Sequence, residues 1–229
     1  MKKDKISDLL ESAIGNHSLQ DSTSALIEVA LDSAMEDGIL RDIPILGSLI
    51  GFGRAAVSIR DRIFINKLGY FLKEIESIPS DQRRALIDEI NASEEATVKV
   101  GEKILYIVDR CQDHQSSRAA GKIFRAFLEK EINYSDFVSL ASAVDRLLYS
   151  DLIRFVMEEQ HSKPAWEANA YFGTCLIAFD ELQISVQDQW DRDSREPYIV
   201  TGNDLTISAT VLGQKLRKIL SGISAHSTE

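Results

Sequence analysis

Gly51-Phe-Gly53-Arg-Ala-Ala56 has the G-x-G-x-x-A spacing with which a dinucleotide site admits a pyrophosphate to a helix N-terminus. That chemistry needs a strand before the string and a βαβ unit around it. Pro44 and Gly47 interrupt the would-be strand, and the long stretch that follows has helical spacing. Glu74 lies near the distance of a ribose-binding acid, but distance alone selects nothing. A phosphate-cradling P-loop fails as well, because Phe52 stands where glycine is needed and Arg54, not lysine, follows.

The other reactive residue types give no stronger pattern. His17, His114, His161 and His226 are scattered, with no H-E-x-x-H pair. Glu158-Glu159-Gln160-His161 has no second ligand in register and reads as a solvated helix end. Asp188, Asp191 and Asp193 resemble a divalent-cation loop, but the glycine and terminal glutamate of an EF-hand are missing, so an exposed turn is expected. There is no G-x-S-x-G elbow, and neither Cys111 nor Cys175 has a sequence-local base. No catalytic residue, cofactor or metal site is predicted. An enzyme whose acids meet only in the fold stays open, since sequence spacing does not report such sites.

Composition bounds what can position these groups. The 229 residues are 44% hydrophobic and 27% charged, with 4 Pro and 12 Gly, enough for a substantial core. Wholesale disorder, collagen-like repeats and a polytopic membrane protein are excluded. A net charge of −10 argues against nucleic acid as a partner of the surface as a whole. Two cysteines without a partner motif fit buried thiols in a reducing cytoplasm. The start is basic, but Ser7, Asp8 and Glu11 interrupt the apolar run that a secretory signal needs.

Apolar spacing is helical over most of the chain. Ile6 to Ile14 marks one helix, closed by Gly15-Asn16, and Ala25 to Ala34 marks a second. Pro79 precedes a helix over 81–90, and Asn91 with Glu94 suggests a capping box for the next. That one carries Val98, Gly101, Ile104, Leu105 and Val108. Ala120, Ile123, Phe124, Phe127 and Leu128 make the following face, and residues 137–148 repeat it. Ser150-Asp151 reads as a cap for a short helix, and a further helix is expected after Pro164 through Trp166, Ala170, Gly173 and Ile177. From Leu182 the period becomes two: Leu182, Ile184 and Val186 predict a half-buried strand. Tyr198–Val200 and Leu205–Ile207 supply returning strand, and Ser208 is placed to cap a last helix.

One stretch departs from the acidic, amphipathic routine. From Ile43 to Gly53 there is no charge, while Arg41, Arg54, Arg60, Arg62, Lys67 and Lys73 face only Asp42 and Asp61 between positions 41 and 73. A transmembrane helix needs roughly 20 apolar residues, and residues 43–59 are fewer and include Arg54. An interfacial or conditionally inserting hairpin is a second reading, since Gly47 and Gly51 give a G-x-x-x-G spacing and the cations suit anionic headgroups. The third reading is a glycine-rich helix packed in the helical core. The contact residues predicted for a membrane or partner are Ile45, Leu46, Gly47, Ile50, Gly51, Phe52, Arg54, Arg60, Arg62 and Lys67.

Two resemblances accompany these patterns. The order of elements from Tyr134 to Leu220, with Leu205-Thr206 and Leu212-Gly213-Gln-Lys-Leu216, resembles a winged helix. DNA readout by such a module needs cations on its recognition helix and wing. Arg154 stands among Asp151, Glu158 and Glu159, and Arg192 and Arg195 among Asp191, Asp193 and Glu196, which favours protein contact. Asp42-Ile-Pro-Ile-Leu-Gly47 and Ser58-Ile-Arg-Asp-Arg62 are similar to a string shared by uncharacterised bacterial helical proteins. That likeness implies a bacterial cytoplasmic protein of prophage or phage-defence neighbourhoods, and no activity.

The expected fold is mainly α, a multi-helix bundle with a small C-terminal winged-helix-like αβ unit. Its parts are N-terminal helices with the basic segment (1–78), a helical core (79–133), the winged-helix-like unit (134–222) and a tail (223–229). The expected function is a non-enzymatic interaction protein, a phage-defence effector acting at the inner face of the cell membrane through 43–72. Its partners are a protein or a second copy, and an anionic membrane surface. The alternatives are a winged-helix regulator binding DNA as a dimer, or the enzyme left open above.

Overall fold

The computed structural model describes residues 2–31, 59–92, 98–158, 162–188 and 198–222. It is mainly helical, with a small set of antiparallel strands toward the C-terminus. Helix α1 (Lys2–Ile14) ends at the expected Gly15, whose N–H donates to the Glu11 carbonyl at 2.9 Å, and α2 (Leu19–Leu31) follows. Leu10 and Ile14 on α1, and Leu19 and Leu26 on α2, are buried at helical spacing. Helix α3 (Ile59–Lys73) packs against α2 and against α6 (His114–Leu128). The approach of α3 and α6 requires a missing side chain, because a Cβ on Gly121 would sit 2.6 Å from the Phe71 carbonyl oxygen.

Helices α4 (Ser80–Asn91), α5 (Val100–Arg110) and α7 (Tyr134–Arg146) complete the body, and α8 (Tyr149–Met157) leads into the strands. The face read at Ala120, Ile123, Phe124, Phe127 and Leu128 is buried throughout. Its phenylalanines join three helices: Phe124 lies 5.6 Å from Phe71 on α3 and 5.2 Å from Phe137 on α7. Each such ring pair adds roughly 1 kcal/mol beyond its buried area. Buried side chains from Leu10 to Leu220 form one contiguous core.

The start of α5 is held from a distance. The Gly101 N–H donates to Glu11 Oε1 at 2.7 Å, the Val100 N–H donates to Asn91 Oδ1 at 3.0 Å, and Asn91 Nδ2 donates to Glu11 Oε2 at 2.9 Å. A carboxylate thus meets the positive end of the helix dipole and satisfies one of its free N–H groups. Asn91 serves α5 in this way, and α5 has Lys99 at its N-cap; the expected box with Glu94 lies outside the described residues.

In the C-terminal unit, β1 (Ser162–Pro164), β2 (Ile177–Phe179) and β5 (Thr206–Ala209) form a sheet in the order β1-β5-β2. A separate ribbon pairs β3 (Ile184–Asp188) with β4 (Tyr198–Gly202). The helix expected through Trp166 and Ile177 is a 3-10 helix over Ala165–Tyr171 followed by a turn. Gly173, at φ +79°, breaks the run, and Ile177-Ala178-Phe179 joins the sheet because β5 offers it an open edge.

Helix α9 (Val211–Leu220) is capped by Thr210 rather than Ser208: Thr210 Oγ1 accepts from the Gly213 N–H at 3.0 Å and donates to the Cys175 carbonyl at 2.6 Å. Helix α8 begins with Leu148 at its N-cap, so Ser150 and Asp151 lie within its first turn.

Candidate interaction surface

Of the predicted contact residues, Ile45, Leu46, Gly47, Ile50, Gly51, Phe52 and Arg54 lie outside the described residues. Arg60, Arg62 and Lys67 fall on α3, which the structure divides in two. In its first turns Ile59 is 80% and Ile63 53% exposed, with Arg60 exposed and Arg62 half-buried. Residues four apart share a helix face, so the two isoleucines form an apolar strip beside the Arg60 cation. From Ile65 onward the helix turns into the core.

Lys67 belongs to that inner half and is not a surface contact. It is 6% exposed, and its ammonium donates to the carbonyls of Asp109 at 2.7 Å and Cys111 at 2.8 Å. These carbonyls close the C-terminal end of α5, where a cation is favoured. Burial lowers the Lys67 pKa from its ordinary value. Nothing in the sequence around Lys67 marks this role, because its acceptors come from residues 42 and 44 positions away.

The reactive side chains are similarly committed. Burial pushes the Cys111 thiol up to about 12, and burial also raises the half-buried Cys175. Both thiols are therefore protonated near neutrality, which leaves little thiolate for nucleophilic chemistry. Asp180 Oδ2 accepts from Ser162 Oγ and Thr206 Oγ1, each at 2.7 Å, and the hydroxyls of Ser208, Ser162 and Thr206 hold its carboxyl below the ordinary value. Among the described residues, no three His, Cys, Asp or Glu side chains converge as metal ligands. Asp191 and Asp193 lie outside them.

The sequence did not reveal a further exposed apolar surface, the β3–β4 ribbon. Its register puts Val186 opposite Val200 and Ile184 opposite Gly202 on one face. Ile184 and Val186 are each 61% exposed and Val200 is 66% exposed, so the strand expected to be half-buried has its apolar face in solvent. Leu182 and Leu205 are exposed at its base, and the exposed rings of Phe172 and Phe179 stack nearby in sequence at 5.6 Å. The alternation of β3 is plain in the sequence, but whether anything covers it is not.

Cations around the short helix α8 are engaged. Arg154 pairs with Asp151 at 3.1 Å and the buried Lys163 with Glu158 at 2.5 Å, while Arg217 donates to the Phe155 carbonyl at 3.0 Å.

A different cationic group opens between α5 and α7. There a cleft of about 290 Å³ is bounded by Lys103, Tyr106 and Arg110 on one helix and Ser142, Asp145 and Arg146 on the other. Arg110 is paired with Asp145 at 2.7 Å.

No protein-family model matches the chain, and no curated protein or solved structure is significantly similar to it. Among the described residues, no helix is long and apolar enough to cross a membrane.

Proposed function

We propose that this chain is a non-enzymatic interaction protein, a bacterial phage-defence effector that acts at an anionic membrane surface through residues 43–72. The observation that carries the reading is the outer end of α3, where Ile59 and Ile63 lie exposed beside Arg60. An apolar strip with adjacent cations gains from insertion at the headgroup boundary and from attraction to anionic lipid, each cation contributing about 1 kcal/mol near such a surface. In the sequence, the run from Ile43 to Gly53 that precedes α3 carries no charge. Lys67 takes no part, since its ammonium is committed inside the fold.

Co-sedimentation with vesicles of phosphatidylglycerol and phosphatidylcholine tests the proposal against an Arg60→Glu/Arg62→Glu variant. The native chain is expected to pellet with the anionic vesicles, and the variant to bind roughly ten-fold more weakly or worse. Equal pelleting of the two proteins, or none of either, would overturn it.

A protein partner is supported by the ribbon, because a contiguous exposed apolar strip is the usual mark of a contact surface. A duplex-reading regulator has less support: Arg154, Lys163 and Arg217 are already engaged.

A further inference from the structure

In a chain of net charge −10, the α5–α7 cleft gathers three cations around one carboxylate. Asp145 accounts for Arg110, from which it accepts at 2.7 Å. Among the described residues, Lys103 and Arg146 take part in no ion pair. Arg146 Nη1 donates to the Gly173 carbonyl at 2.5 Å, which orients the guanidinium without neutralising it. The Lys103 ammonium rests over the Tyr106 ring, 5.8 Å from its centroid, and Tyr106 is itself largely exposed. Ile107, Val138 and Ala141 supply apolar lining. Uncompensated cations held together around a concavity raise the local concentration of anions, and the volume is that of a small-molecule site.

We propose that this cleft binds a phosphate monoester whose organic part carries a flat ring, of nucleoside-monophosphate size. The phosphate, close to a dianion at neutral pH, lies between Lys103 and Arg146, with the Ser142 hydroxyl as a further donor. Lys103 leaves the Tyr106 ring for the phosphate, the Arg110 guanidinium stays over that ring, 5.4 Å from its centroid, and the ligand ring rests beside Tyr106 on the apolar lining. The site is independent of the membrane contact proposed for α3, whose cations lie on a different helix.

Calorimetric titration of the full chain with AMP, ribose 5-phosphate, inorganic phosphate and adenosine tests this. AMP is expected to bind most tightly. Lys103→Glu and Arg146→Glu should each weaken AMP about ten-fold or more, as for loss of a charge-assisted hydrogen bond. Tyr106→Leu should reduce AMP to the level of ribose 5-phosphate. Absence of AMP binding, adenosine binding as tightly as AMP, or undiminished AMP affinity in the Lys103→Glu protein would overturn the site. Inorganic phosphate binding as tightly as AMP would overturn the part assigned to the ring. Circular dichroism checks that each variant is folded, and Lys103→Glu, at the cleft rim, decides if Arg146→Glu is not.

Discussion

The ammonium of Lys67 lies 2.8 Å from the carbonyl oxygen of Cys111 and ties the middle of α3 to the end of α5. The same lysine's own carbonyl accepts from Ser117 Oγ at 2.7 Å, so α3, α5 and α6 meet at one residue. Lys67→Met keeps the stem and removes the donor, leaving two carbonyls short of a partner. It should cost about 2 kcal/mol in urea unfolding, whereas Arg60→Met, on the exposed turn, should stay within about 0.5 kcal/mol.

Cys111 gives the fold a defined alkaline weakness. Its thiol ordinarily titrates at 9.0 and is pushed up to about 12 by burial. The folded chain therefore holds a proton that the unfolded chain releases, and this contribution, complete below pH 9, is lost as pH rises toward 12. Lys67, lowered by burial, acts in the opposite sense below its ordinary 10.5. The comparison that isolates the thiol is wild type against Cys111→Ala: the native protein should lose stability more steeply between pH 9 and 11, as read by chemical denaturation. Parallel curves would contradict the assignment.

Glu11 should matter out of proportion to its place on a short N-terminal helix, since it caps α5 ninety positions later. Glu11→Ala is expected to cost about 1–2 kcal/mol and to raise amide exchange in the first turn of α5. Loss confined to α1 would show that the cap contributes nothing.

Gly121→Ala is expected to destabilise by about 1–3 kcal/mol, because the new methyl would meet the Phe71 backbone rather than a movable side chain. The melting temperature of the variant is the measurement. Ile184→Thr and Val200→Thr on the ribbon provide the contrast, with shifts expected within about 0.5 kcal/mol because those side chains are already in water.

Helical type was legible in α6, whose five apolar residues from Ala120 to Leu128 are all buried. Partnership between distant elements was not. Ile177–Phe179 is a strand only because β5 pairs with it, and it follows a helix-like run that Gly173 ends. Lys67 has the residue type of a surface cation, and its burial depends on carbonyls that α5 brings up. The ribbon's alternation was correct, yet alternation does not say whether a second layer exists. The cationic cleft joins residues 103–110 with 142–146, whose charges are unremarkable apart.

Arg83 is almost wholly buried, and among the described residues its guanidinium donates to carbonyl oxygens: Ile14 at the end of α1 at 2.5 Å, Asn16 just after it at 2.7 Å, and Ile78 before α4. Opening either turn would strand a positive charge in a dry interior, at a cost far above that of a frayed end. The two turns are thereby fastened like leaves on a single pin, and the amino-terminal helix detaches only when the α3–α4 corner goes with it.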